Sequence, residues 1–221
     1  MKSNPFPYAL ALAAALLAGC ASNQPQTTAG LNTAQMEQSQ YIPHTLVYRA
    51  PDVDVKKYTQ FILDPGQVYR GSDARFKGVS DSDREMLAQF LHDEFEKALS
   101  AKSMLASGPG PNVVRLKLTL ADVETTQAAL ATITGLTPIG MALNLGKSAG
   151  GSRGSFMGAA TVACEAFDSQ SGAFVGSFLT KQSPVAADFS AKFGALDAAK
   201  GGIKEIAERF VKRFEEIQKG K

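Results

Sequence analysis

The chain has 221 residues, with 23 Lys and Arg against 21 Asp and Glu, and this near balance excludes the basic footprint that nucleic acid requires. Without its first 19 residues it would keep about 200, enough for one core of ordinary size, so one folded domain is expected. Its only cysteines are Cys20 and Cys164.

The first stretch carries Lys2, then an apolar run from Tyr8 to Ala18, then the small residues Ala18 and Gly19. A run that short does not reach the roughly 20 apolar residues of a transmembrane helix. Residues 1–19 therefore read as a targeting segment. Cys20, directly after Leu17-Ala18-Gly19, resembles the lipobox of bacterial lipoproteins. That resemblance implies cleavage between Gly19 and Cys20 and acylation of Cys20. One acyl chain holds a membrane marginally, whereas two or more make a stable anchor. Ala21 and Ser22 stand where an aspartate would signal inner-membrane retention, so the resemblance implies the outer membrane, with the chain facing the periplasm. With Cys20 acylated, Cys164 is a lone thiol, expected to be buried in a strand as a small apolar residue. Residues 20–40 are small, amide-bearing and poor in large apolar side chains, which predicts a disordered tether.

The folded domain is expected over 41–221. Lys56 to Leu63 reads as a strand closed by the Asp64-Pro65-Gly66 turn, with Gln67 to Tyr69 continuing beyond it. Ser82-Asp-Arg-Glu85 has the pattern of a capping box, and Leu87, Phe90, Leu91, Phe95, Ala98 and Leu99 follow at helical spacing. Gly108-Pro-Gly-Pro111 breaks the chain, and Val113 to Thr126 then alternates as a half-buried strand with Val114, Leu116, Leu118 and Leu120 on one face. Phe156 to Phe167 and Ala173 to Gln182 form a hairpin across Asp168-Ser-Gln-Ser-Gly172. From about Gly194 to Gln218 a last helix lines up Leu196, Ala199, Ile203, Ile206, Phe210, Phe214 and Ile217. Glu205 with Arg209 and Glu208 with Lys212 are spaced to pair on its outer face, and Gly201-Gly202 is expected to loosen its first turns. The expected fold is α+β: one mostly antiparallel sheet of four to five strands with two amphipathic helices on one face.

Between Glu124 and Lys147 there is no charged residue. Its apolar side chains Leu136, Ile139, Met141, Leu143 and Leu145 are candidates for a partner-binding surface. Two other readings are that the stretch serves packing alone, or that it inserts into a membrane or lines a ring-shaped assembly; Pro138 and the scattered glycines count against a continuous span.

Sequences that resemble catalytic motifs lack their companions. Gly150-Gly-Ser152-Arg-Gly154 matches G-x-S-x-G, but a hydrolase needs a histidine base, and the only histidines, His44 and His92, both precede the serine. Gly146-Lys147-Ser148 ends like a phosphate-binding loop with its first glycine misplaced by one residue. His92, Asp93, Glu94 and Glu96 are expected to point in different directions around their helix, so no metal site is expected, and no cofactor.

With the lipobox, Gly78-Val-Ser-Asp-Ser-Asp-Arg84, Leu116 to Glu124, Pro138 to Gly146 and the Glu165 to Val175 hairpin, the chain resembles a family of bacterial lipoproteins of unknown function. Its order of elements is more distantly similar to the small α/β domain of curli-secretion and peptidoglycan-synthase-activator lipoproteins, a likeness of topology that carries no activity. The anchor, the tether and the missing catalytic set together point to a non-enzymatic, membrane-anchored periplasmic module that binds a protein partner in envelope assembly or maintenance. The alternative is a subunit of an oligomeric ring or secretion channel using residues 128–158 at the membrane. Metabolic labelling with palmitate is expected to mark the chain, and Cys20→Ser to abolish both the label and its recovery with membranes.

Overall fold

A computed structural model describes residues 24–125, 158–184 and 196–220. The elements in chain order are β1 (Glu37–Gln38), β2 (Thr45–Arg49), β3 (Gln60–Leu63), β4 (Gln67–Val68), α1 (Asp81–Ser100), β5 (Val113–Glu124), β6 (Ala159–Asp168), β7 (Phe174–Gln182) and α2 (Asp197–Gln218). They make one seven-stranded sheet in the order β1-β2-β7-β6-β5-β3, with β4 also paired to β5. The fold is α+β, as expected, and its pairs are antiparallel except those of β3 and β4 with β5. The sheet exceeds the expected four to five strands because β1 and β2 add an edge. Two and five residues long, with β2 half exposed, they leave almost no periodic signal in the sequence.

The helix α1 starts at Asp81, because Ser80 rather than Ser82 is its cap. Ser80 Oγ accepts from the Asp83 backbone N–H at 3.2 Å and bonds the Asp83 carboxylate at 2.7 Å. That moves the N-cap two residues earlier than the sequence pattern suggested. Its apolar stripe, Leu87, Leu91, Phe95 and Leu99, is fully buried against the face of β5 that carries Leu116, Leu118 and Leu120. Four phenylalanines lock the helices to the sheet. Phe61 meets Phe214 edge-on at 4.6 Å between centroids and Phe210 at 5.4 Å, and Phe210 lies 5.4 Å from Phe95.

Gly202 sits where α2 crosses the sheet. A Cβ there would stand 2.3 Å from the Gln182 carbonyl oxygen, and one at Gly201 would stand 2.6 Å from Pro184 Cβ. The glycine pair is therefore a contact surface that brings α2 down onto β7, where the sequence had suggested only looseness. On the outer face Glu205 and Arg209 pair as spaced, while Glu208 faces Lys204 at 3.9 Å in place of Lys212.

The expected tether is also corrected for the residues described. Thr28 donates from its backbone N–H and hydroxyl to Asp73 Oδ2 at 2.7 and 2.8 Å, and Tyr69 OH donates to Asp73 Oδ1 at 2.7 Å. These bonds, the Thr28 backbone first, hold the Asp73 carboxyl well below the usual carboxylate range. Ala29 is buried with Ala121, Ala163 and Leu179 on the face opposite the helices, flanked by Leu31 and Met36, and β1 then pairs with β2. Three modest apolar residues suffice because the patch they cover is small, which composition does not reveal.

Gly202→Ala is expected to destabilise the domain by about 1–3 kcal/mol, the usual cost of overpacking a close contact, although alanine favours helix; urea unfolding measures it.

Candidate functional site

Helix α1 packs over β3, β4 and β5, and α2 over β6 and β7. Helices pack about 8–10 Å apart and strands lie about 4.8 Å apart, so two helices cover about four strands. The path of this sheet is six strands wide. An open cleft remains between α2 and β2, about 370 Å³ in volume.

Its floor follows from the register. Val47 on β2 lies opposite Phe178 on β7, and Phe178 lies opposite Cys164 on β6, so the three share the helix-covered face. Phe210, Phe214 and Ile217 of α2 form the wall, with Phe178 and Phe210 at 5.9 Å between centroids. Val47 keeps 38% of its surface exposed. At the mouth the loop between β1 and β2 is held to α2 by Tyr41, whose ring centre lies 3.4 Å from the Arg213 guanidinium. The far end is polar and closed on itself. Thr45 and Thr180 hydroxyls lie 2.6 Å apart, and Gln182 Nε2 donates to Pro43 O at 2.7 Å and to Thr180 Oγ1 at 3.0 Å.

The ionisable lining residues described are Glu37, Arg49, Arg209 and Arg213, together with tyrosines and Cys164; none is a histidine. Arg209 pairs with Glu205, and Arg213 with Glu216 at 3.1 Å. Among the described residues Arg49 has no ion-pair partner. Cys164 is buried as expected, and burial pushes its thiol up, so it offers little thiolate. Such a lining holds an apolar group well and is poorly equipped to move protons.

Of the residues singled out from the sequence, Gly19, Cys20, Leu136, Ile139, Met141, Leu143, Leu145 and Ser152 lie outside the described residues. His92, Asp93 and Glu96 do converge, contrary to expectation, with ligand atoms within 4.8 Å of one another. His92 Nδ1 meets the Asp64 carbonyl at 3.1 Å, and Asp93 accepts from Gln89 at 2.8 Å. Glu94 turns to Lys97 at 3.7 Å. The cleft residues Val47 and Arg49 gave no sequence signal, Phe178 fell unremarked within the predicted hairpin, and Phe210 and Phe214 read only as an apolar helix stripe.

A second polar group lies at the other face. The β-bulge between Leu120 and Asp122 places Asp122 opposite Thr161, beside Glu124 and the nearly buried Lys181, which pair at 2.7 Å. Burial, and then the Glu124 charge, push the Asp122 carboxyl up to about 6.

The architecture defines an α+β domain whose helices leave one sheet edge open as an apolar cleft. The chain belongs to the family described as "Protein of unknown function (DUF3313)", whose model matches residues 29–210. The match thus begins at the docked segment ahead of β1. No curated protein matches the chain. Solved structures similar to it include the PelC dodecamer from Paraburkholderia phytofirmans, with 10% identity and a TM-score of 0.35, and a point variant of that dodecamer, with 9% and 0.37. Each alignment covers 75% of this chain, and 96% and 95% of theirs respectively. Scores at that level assign no property to this chain.

Because the folded carboxyl of Asp122 holds its proton more tightly than an unfolded one, its contribution to stability is greatest below about pH 4 and is lost as pH rises through about 6. Asp122→Asn removes that loss. Its stability relative to the parent chain is expected to rise between pH 4 and 7 by about 1–3 kcal/mol and then level off, read from urea titrations at each pH.

Proposed function

We propose that the chain is a non-enzymatic binding module of the bacterial cell envelope, held to the outer membrane on its periplasmic side by acylated Cys20, with the cleft between α2 and β2 as its ligand site. The observation that carries this reading is the cleft itself. It is a cavity of about 370 Å³ with an aromatic and aliphatic floor, left open by the helix packing and braced at its mouth by Tyr41 and Arg213. Pockets of this size and character are where small ligands and apolar anchors of partners are held. The resemblance of the sequence at Cys20 to a lipobox supports the location, and the described lining, with a protonated Cys164 and no histidine, supports binding over catalysis.

A role in envelope assembly or maintenance then requires both the anchor and the cleft. Val47 is exposed enough to accept a charge without disturbing the core. In the native organism Val47→Glu at unchanged protein level is expected to reproduce the envelope defect of a strain lacking the chain, scored as sensitivity to detergents and large antibiotics. A Val47→Glu strain that resists them like its parent, while the deletion does not, sinks the assignment of the site.

A further inference from the structure

Taking the cleft as the ligand site, as proposed above, we infer that it binds the single long acyl chain of an anionic amphiphile, with the chain between Val47, Phe178 and Phe210 and the charged head beside Arg49. Three observations select this class of ligand. The first is a local charge on β2. With Arg209 paired to Glu205 and Arg213 to Glu216, the rim keeps one exposed charge of each sign, Glu37 on β1 and Arg49 on β2, and Arg49 has no ion-pair partner among the described residues. An anionic head seated at the Arg49 end of the cleft meets that charge.

The second is the scarcity of hydrogen-bonding capacity inside. Thr45, Thr180 and Gln182, the buried polar side chains of the lining, bond to one another and to the Pro43 carbonyl. A peptide pressed into such a cleft would strand its own N–H and C=O groups, whereas an acyl chain has none to satisfy. The third is the sheet edge. Peptides that join a sheet need a row of free backbone groups, but β1 already pairs with Leu46 and Val47, and Ser39 N–H donates to the Thr45 carbonyl, which leaves only Tyr48 and Arg49 open on β2.

The test uses the full chain with Cys20→Ser, so that neither its own acyl groups nor detergent competes. Fluorescence of cis-parinaric acid is titrated against it and then displaced by saturated fatty acids from decanoate to palmitate, by lysophosphatidylglycerol and by hexadecanol. Saturable binding is expected, with displacement tightening as the chain lengthens, at most about fourfold per methylene, until the cleft is full. Carboxylate and phosphate heads should both compete, which separates a free fatty acid from a lipid as the source by their relative affinities. Val47→Glu should weaken every amphiphile at least tenfold with its thermal unfolding unchanged. Arg49→Glu should weaken the anions about fivefold and leave hexadecanol as it was.

Absence of saturable binding, binding that Val47→Glu leaves intact, or equal loss of anions and alkanol on Arg49→Glu would each overturn the inference. If parinaric acid fails to bind while Val47→Glu still disables the cells, the cleft holds some other ligand and only the acyl assignment falls. If the Val47→Glu cells are unimpaired, the cleft is not the site at all.

Discussion

Coverage is the constraint from which the rest of this structure follows. Six strands side by side present a face wider than the two helices among the described residues can shield, since each helix spans about two strands. The chain places both helices over the β3 to β7 side, where the fully buried leucines and phenylalanines lie. Whatever apolar surface falls on the remaining strands is then left at the edge of the core. Val47 on β2 is that surface, and the cleft is the gap between it, the neighbouring Phe178 of β7 and the flank of α2. It is a consequence of counting elements before it is a feature of any one residue.

Close approach sets where the gap falls. Gly202 lets α2 descend onto the Gln182 carbonyl, which pins the start of the helix over the β6–β7 end, while Phe210 and Phe214 further along contact Phe61 and Phe178. Between those fixed points the helix cannot slide outward to cover β2. The opposite face of the sheet is finished differently: there the segment around Ala29 lies over Ala121, Ala163 and Leu179, clasped through Thr28 and Asp73. Both faces thus rely on small residues at contact points, one to admit a helix and the other to admit an irregular strand of chain.

Much of this was legible before any coordinates. The alternation from Val113 to Glu124, the hairpin about Asp168-Ser-Gln-Ser-Gly172 and the stripes of both helices are long periodic signals, and each forms where expected. The misses share a cause. Thr45–Arg49 and Glu37–Gln38 are too short to show a period, and Ser80 and Ser82 offer caps that differ only in which side chain finds the backbone. His92 and Glu96 were read as pointing apart, although their spacing of four residues on a helix brings them together.

Sequence alone determined the class of fold, the two apolar helix faces and the burial of Cys164, because local periodicity and residue size decide those whatever the neighbours. It also supplied the lipobox resemblance at Cys20, a short linear pattern that needs no tertiary context. Only the tertiary structure decided that the chain from Thr27 joins the body, that Gly202 is a contact, and that Val47, Phe178 and Phe210 border a common cavity. Those outcomes depend on which strands pair at the sheet edge and how far two helices reach across it, and neither quantity is written in the spacing of residues along one segment.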